Sequence, residues 1–244
     1  MILRRITQHV KDQNWTAIAI DFVIVVVGVV MGFQVTAWGG ERADRAREQV
    51  LIRGLQEDFL ANRARYDEVA AVRDLRVRRL RNLHAMTGPD APEPNPARFD
   101  SLLQSSIDWL DFDPTVGRVD ALLGSGQIAL VRSDSLQAAL ASWPTVLANM
   151  EENERMAADI VTGRMLPYLA SRYPLVVVDA SAGLVEPARP NAFPIDRRAL
   201  LTDLTFANLV EDRWAQSTLA IRDGEPVREL IEALLRLLDA ETQR

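Results

Sequence analysis

The chain of 244 residues contains no cysteine, which excludes disulfide bonds, thiolate nucleophiles and cysteine-based metal sites. Histidine is almost as scarce. His9 and His84 are the only two, and they lie on opposite sides of an apolar segment, which argues against a histidine-based zinc site or a serine–histidine triad. Lys11 is the only lysine among 28 basic residues. These absences narrow the catalytic chemistry that is open to the chain.

An excess of basic charge is also missing. The formal net charge is −6 and the isoelectric point is near 5.1, so the composition predicts no nucleic-acid partner. Strand-like runs are equally rare, since only residues 176–178 qualify, and we expect them to form a short extended apolar segment. The sequence therefore predicts an all-α fold, in which about 200 residues after the apolar segment suffice for one domain.

The chain does contain one uncharged apolar run, residues 22–33, within a segment that begins at Trp15 and ends at Trp38. At about 1.5 Å per residue a helix over 15–38 matches a hydrocarbon layer of about 30 Å, with its tryptophans where interfacial anchors are found. We predict a single transmembrane helix there, preceded by a basic N-terminal segment, 1–14. A cleaved signal peptide is the alternative, but the long stretch before the run favours an uncleaved anchor.

The orientation of this span cannot be read from the counts of Lys and Arg, because both flanks carry several basic residues. A long C-terminal domain can cross a membrane largely regardless of its charge. We therefore expect the N-terminus in the cytoplasm of a bacterium and the C-terminal domain in the periplasm, anchored to the inner membrane.

Small and polar residues share one face of the predicted span. At about 100° per residue this face comprises Asp21, Val25, Gly28, Gly32 and Thr36. The two glycines have the small-xxx-small spacing that lets helix backbones approach closely. We predict that this face contacts another transmembrane helix, from a second copy or from a membrane-protein partner. Two readings of Asp21 stay open, an interfacial carboxylate and a proton- or partner-binding one.

After the span, the sequence predicts a long amphipathic helix over 39–86, a proline-rich connector over 87–98 and a helical domain over 99–244. Gly39 and Gly40 mark a possible bend before the long helix. An apolar stripe along this helix has spacings of three and four, and consists of Ile52, Leu55, Phe59, Tyr66, Val69, Leu80 and Leu83. Its polar interruptions, at Asn62, Arg73 and Arg76, favour packing on the chain's own domain over a long coiled coil.

Prolines and glycines set the expected boundaries within the helical domain. Pro144 is expected to begin a helix that kinks at Pro167. Gly224, after Asp223, is expected to separate the last two helices. Residues 124–126, a Gly-Ser-Gly sequence, lack the frames of a hydrolase elbow and of a phosphate loop, so we expect them to end a short helix.

Asp21, Gly28, Gln34 and Trp38 have the spacing of an acidic residue, Gly, Gln and Trp in an uncharacterised bacterial family of single-pass membrane proteins, a domain of unknown function. Residues 112–140 resemble that family's central F-x-P-T…L-x-x-S-G-x-I…L pattern. Asp21 stands where the family usually has Glu. The family has no established activity, so the resemblance implies a single-pass architecture and leaves the function open.

Asp111, Asp113 and Thr115 have the D-x-D-x-T form of the haloacid-dehalogenase phosphatases, whose first aspartate attacks phosphorus. That chemistry needs a parallel strand before the motif, whereas residues 101–110 have a helical pattern. A helix end followed by an Asp-Pro turn explains the same residues. We therefore expect a non-catalytic accessory subunit without cofactor or metal. A membrane-bound magnesium-dependent phosphohydrolase and an extracytoplasmic sensor with a pocket among the C-terminal helices are the alternatives.

Overall fold

The computed structural model describes residues 15–187, 190–191 and 193–243, so the basic segment 1–14 lies outside the described residues. Every regular element in these ranges is helical, which confirms the all-α prediction. Contacts divide the chain into two compact units, Met1–Leu51 and Ile52–Arg244.

The elements follow one another in a simple order. Helix α1 is Trp15–His84, α2 is Pro96–Ile107 and α3 is Gly117–Gly124, followed by a 3₁₀ turn, Gln127–Leu130. The remaining elements are α4 (Asp134–Ile160), a π-helical turn (Val161–Met165), α5 (Leu166–Ala170), α6 (Leu175–Ser181), α7 (Arg197–Leu201) and α8 (Leu204–Thr242).

In the first unit, α1 runs without interruption through Gly39 and Gly40. A helical glycine costs only about 1 kcal/mol relative to alanine, which a long helix can tolerate. Among the described residues, no helix is both long enough and apolar enough to cross a membrane. The transmembrane segment over 15–38 therefore stays a prediction.

In the second unit, the predicted apolar stripe of α1 is buried in full, as all seven of its residues are at most 5% exposed. The stripe packs on helices of the same chain. Phe59 meets Trp143 of α4 edge to face, with ring centroids 5.1 Å apart. Gln56 donates a hydrogen bond of 2.5 Å to Asp239 of α8. Because α4 and α8 also pack on each other, three long helices share one core.

A second buried cluster lies where α2, the π-helical turn, α6, α7 and the start of α8 converge. A polar contact ties this cluster together at Asp100 of α2. Arg197 donates two hydrogen bonds to this carboxylate, of 3.0 and 2.7 Å, and the Tyr173 hydroxyl donates a third, of 2.6 Å. Burial raises the pKa of Tyr173, with Asp100 acting in the same direction.

The expected start of a helix at Pro144 is wrong, because α4 begins at Asp134 after the capping side chain of Ser133. Pro144 is exposed inside this helix. The buried stripe of α4 continues on both sides of it, through Trp143 and Leu147, and burial of these side chains offsets the backbone hydrogen bond that proline cannot donate. In place of a kink at Pro167, a π-helical turn joins α4 to α5.

The break expected at Gly224 is also wrong, since α8 continues through Gly224 and Pro226. A Cβ atom at position 224 would lie 2.8 Å from the hydroxyl oxygen of Tyr66. The glycine therefore permits close packing against α1, and it does not end the helix. Residues 176–178 are likewise helical, within α6, where burial of Val178 outweighs the β-propensity of valine.

The connector after α1 covers residues 85–95, so it begins and ends earlier than the sequence predicts. Pro96 already occupies the first turn of α2, and the Asn95 side chain caps that helix by accepting a hydrogen bond from the Arg98 amide. Residues 124–126 end α3 as expected, with Gly126 in the left-handed region at φ 71°.

Candidate functional site

The first candidate site is a run of apolar side chains on α1, in the first unit. Phe22, Ile24 and Val25 are 62 to 68% exposed, and Trp38 is 66% exposed. The run also includes Val23, Val26, Val27, Val29, Val30 and Met31, all at least 43% exposed. An apolar surface of this kind is unfavourable in water.

The predicted contact face overlaps this run. Val25 is exposed, and a Cβ atom added at Gly28 or Gly32 would meet no described atom within 4 Å apart from the neighbouring backbone of its own helix. Both glycines therefore leave room for the backbone of a neighbouring helix. The side chains of Asp21 and Thr36, which complete the face, lie outside the described residues, as does that of the anchor Trp15.

At the other predicted anchor, Trp38, a cation lies next to the aromatic ring. The guanidinium carbon of Arg42 lies 5.7 Å from the ring centroid. Such an aromatic–cation pair has an apolar body and a polar end, as interfacial anchors do.

The second candidate site is the D-x-D-x-T motif, in the irregular segment between α2 and α3. Asp111 and Asp113 are exposed, whereas Phe112 between them is 3% exposed and packs edge to face on Tyr66, with centroids 5.5 Å apart. Asn62 of α1 exchanges two hydrogen bonds with the backbone of Thr115, of 2.7 and 3.0 Å. Asn62, the first polar interruption of the stripe, therefore holds this segment on α1.

The second interruption, Arg73, holds the same segment through α4. It forms an ion pair with Glu154, and the side chains of the two residues are only 7% and 9% exposed. The carboxylate oxygen that Arg73 contacts also accepts a hydrogen bond of 3.2 Å from the Phe112 amide. Burial raises the pKa of Glu154, and the Arg73 charge opposes this shift. The Arg73–Glu154 pair therefore links α1 and α4 to the motif segment.

The third interruption, Arg76, lies beside Arg213 of α8 at a cavity of about 20 Å³. Burial lowers the pKa of Arg213 to about 10; the charge of Arg76 also lowers this pKa, and Asp108 opposes the shift. Ser217, one turn after Arg213, lines the same cavity. The structure thus brings buried guanidinium groups from two helices together.

Glu154, Arg213 and Ser217 were not identified from the sequence. For two of them a signal exists, because Arg213 and Ser217 occupy positions in the apolar stripe of α8 that continues to Val227. A polar residue at such a position needs a buried polar partner, as Arg73 and Arg76 do on α1. Glu154 gives no such signal, since it stands in a sequence of charged residues typical of an exposed helix face.

The sensor hypothesis needs a pocket among the C-terminal helices. A surface cavity of about 670 Å³ opens between the α5–α6 turn and residues 193–196. Tyr173, Pro174 and Phe193 line it, together with Asp196. Its size is in the range of small-molecule sites, and Phe193 leaves an apolar ring 72% exposed at its edge.

Within the described ranges, no group of three or more His, Asp or Glu side chains is placed to hold a metal ion. The ring of His84 packs against Trp214, with centroids 5.7 Å apart, and His9 lies outside the described residues.

Comparison with known proteins gives no matching family model, no similar curated protein and no similar solved structure. The resemblance to an uncharacterised membrane-protein family therefore stays a prediction, and function has to be argued from the chain's own residues.

Proposed function

We propose that the protein is a non-catalytic interaction or accessory subunit of a bacterial membrane complex, anchored by a single transmembrane helix over residues 15–38. The exposed apolar side chains of 22–31 are the observation that carries this proposal. Apolar surface is stable in lipid and costly in water. The sequence extends the apolar stretch on both sides and ends it with Trp15 and Trp38, residues typical of the membrane interface.

The placement of the motif residues supports a non-catalytic role. A phosphohydrolase of the D-x-D-x-T type needs its aspartates at the end of a parallel strand, whereas Asp111 and Asp113 lie on an irregular segment between helices. The polar groups behind this segment, Asn62 and Glu154, bond its backbone and thereby hold it in place. Magnesium-dependent phosphatase activity that is lost in Asp111→Asn would instead favour the enzyme.

Membrane anchoring predicts that the full chain stays in the membrane fraction after alkaline carbonate washing and is released by detergent. Val26→Arg with Val30→Arg should abolish this retention, because each arginine near the centre of a span costs about 2.5 to 3.5 kcal/mol. Val50→Arg with Leu60→Arg is the matched control, since both residues are exposed on α1 beyond the apolar run. Wild-type protein in the carbonate wash would contradict the anchor.

The contact face predicts close packing against a second transmembrane helix. Val25→Cys should give a disulfide cross-link to a second copy, or to a cysteine on the partner helix, in a chain that has no other cysteine. Gly28→Ile with Gly32→Ile should abolish the cross-link without preventing insertion, because isoleucine is as apolar as lipid and keeps the backbones apart.

Val27→Ile is the control for this experiment, since it adds bulk outside the proposed face. Cross-linking should persist in this variant. If the double isoleucine variant cross-links as efficiently as the parent chain, the face does not pack on another helix.

A ligand-binding sensor is the second candidate function, and the cavity beside Tyr173 is the observation that favours it. A small molecule that binds there should raise the melting temperature of the full chain and lose this effect in Phe193→Ala. Leu184→Ala, at an exposed apolar residue that does not line the cavity, should keep the effect.

A further inference from the structure

We infer that a monovalent anion of the size of chloride binds in the cavity between α1, α4 and α8, with Arg76, Arg213 and Ser217 as its hydrogen-bond donors. This site is separate from the proposed membrane contact and does not depend on it. The inference rests on buried positive charge, on unpaired donors and on the size of the cavity.

Among the described residues of the second unit, Arg213 is the most buried charged group, at 1% exposure. Its guanidinium donates hydrogen bonds to the backbone oxygen of Asp108, at 2.7 Å, and to that of Ala157, at 3.4 Å. Both acceptors are neutral carbonyls, so they satisfy N–H groups without cancelling the charge. Burying a charge is costly unless an opposite charge is paired with it.

Arg76, at 7% exposure, adds a second cation to the cavity wall. Its nearest carboxylate oxygen, on Asp108, lies 3.9 Å from Nη2, which is too long for a hydrogen bond. That carboxylate is also 53% exposed, so water screens the pair. Two acidic side chains line the cavity. Glu154 is already paired with Arg73, and Asp111 is exposed to water, which screens its charge.

Four buried donor atoms in this region have no hydrogen-bond partner: Nε and Nη2 of Arg76, Nε of Arg213 and Oγ of Ser217. The residues that carry them all line the cavity, together with alanines of α4 and α8. Guanidinium and hydroxyl groups in this arrangement form charge-assisted hydrogen bonds to an anion. Because two of these residues are buried cations, an anion is favoured over a water molecule as the partner of these donors.

The volume of the cavity restricts the class of anion. About 20 Å³ accommodates one or two atoms, as in a water molecule or a halide ion, and is too small for a phosphate or a carboxylic acid. We therefore identify chloride as the anion to test.

The test is thermal unfolding of the purified full chain in sodium chloride and in sodium gluconate at equal ionic strength. Chloride that binds only the folded state should raise the melting temperature by about 3 to 6 °C at ten times its dissociation constant. Equal melting temperatures in the two salts would overturn the inference and leave water as the occupant.

Variants locate the effect. Arg213→Met keeps the bulk of the side chain and removes its charge, and it should abolish the chloride dependence. Ser217→Ala removes one donor with little change in packing, so it should weaken the dependence even if Arg213→Met fails to fold. Arg78→Gln, at an exposed arginine of the same helix as Arg76, should leave it unchanged. A chloride effect that survives in Ser217→Ala at full size would place the ion elsewhere and overturn this site.

Discussion

Glu154→Ala should lower the free energy of unfolding by about 3 to 5 kcal/mol, because it leaves Arg73 as a buried cation without its partner. The same substitution removes the carboxylate oxygen that accepts a hydrogen bond from the Phe112 amide of the motif segment. Urea unfolding followed by circular dichroism measures this loss. A change below about 1 kcal/mol would show that water reaches the Arg73–Glu154 pair and that this pair is not buried in solution.

Glu152→Ala is the matched control for this experiment. Glu152 lies on the same helix and pairs with Arg155 at a spacing of three residues, but both side chains are more than half exposed. Exposed pairs of this kind contribute little to stability, because water and salt screen the two charges. The difference between the two alanine variants therefore measures what burial adds to an ion pair in α4.

The raised pKa of Glu154 predicts a pH dependence of stability, which tests the burial of this carboxyl group independently of the alanine variant. Because the folded protein binds this proton more tightly than the unfolded chain does, the carboxyl group stabilises the fold fully below its unfolded pKa. This contribution is lost as the pH rises through the folded pKa. The stability of the wild type relative to Glu154→Gln should therefore decrease as the pH is raised from about 4. A constant difference across the same range would contradict the assigned direction of the shift.

Phe112→Ala should also cost about 3 to 5 kcal/mol of unfolding free energy. The ring is 3% exposed and packs edge to face on Tyr66, so its removal leaves a cavity beside the stripe of α1. Thermal and urea unfolding both measure the effect. Wild-type stability of this variant would mean that the ring does not belong to the core.

Two further variants serve as comparisons for Phe112→Ala. Phe112→Leu keeps much of the apolar volume and should cost less than the alanine variant. Phe193→Ala removes a ring that is 72% exposed, and it should change stability by no more than about 0.5 kcal/mol. Together the three variants separate burial of the ring from the mere presence of an aromatic side chain.

The helical periodicity of residues 52–83 was sufficient to predict the buried face of α1 correctly. A helix repeats about every 3.6 residues, so apolar side chains at spacings of three and four must share one face. The polar residues within that face carried information as well. Asn62 and Arg73 indicated packing against the same chain, and both bond the motif segment or a neighbouring helix.

Local signals failed where tertiary contacts outweighed them. Proline and glycine are common at helix ends, but Pro144 and Gly224 each lie inside a long helix. For Pro144 the reason is a buried stripe that continues on both sides, and for Gly224 it is the close approach of Tyr66. The local cost of about 1 to 3 kcal/mol for such a residue is smaller than the gain from burying several large apolar side chains.

The sequence by itself determined the helical class, the absence of cysteine chemistry and the apolar segment between Trp15 and Trp38. These follow from composition and from periodicity, which depend only on neighbours along the chain. The tertiary structure alone decided that Glu154, 81 residues after Arg73, would face it, and that Arg76 and Arg213 would share a cavity. Pairing between distant side chains depends on how helices pack, and no local pattern around Glu154 encodes it.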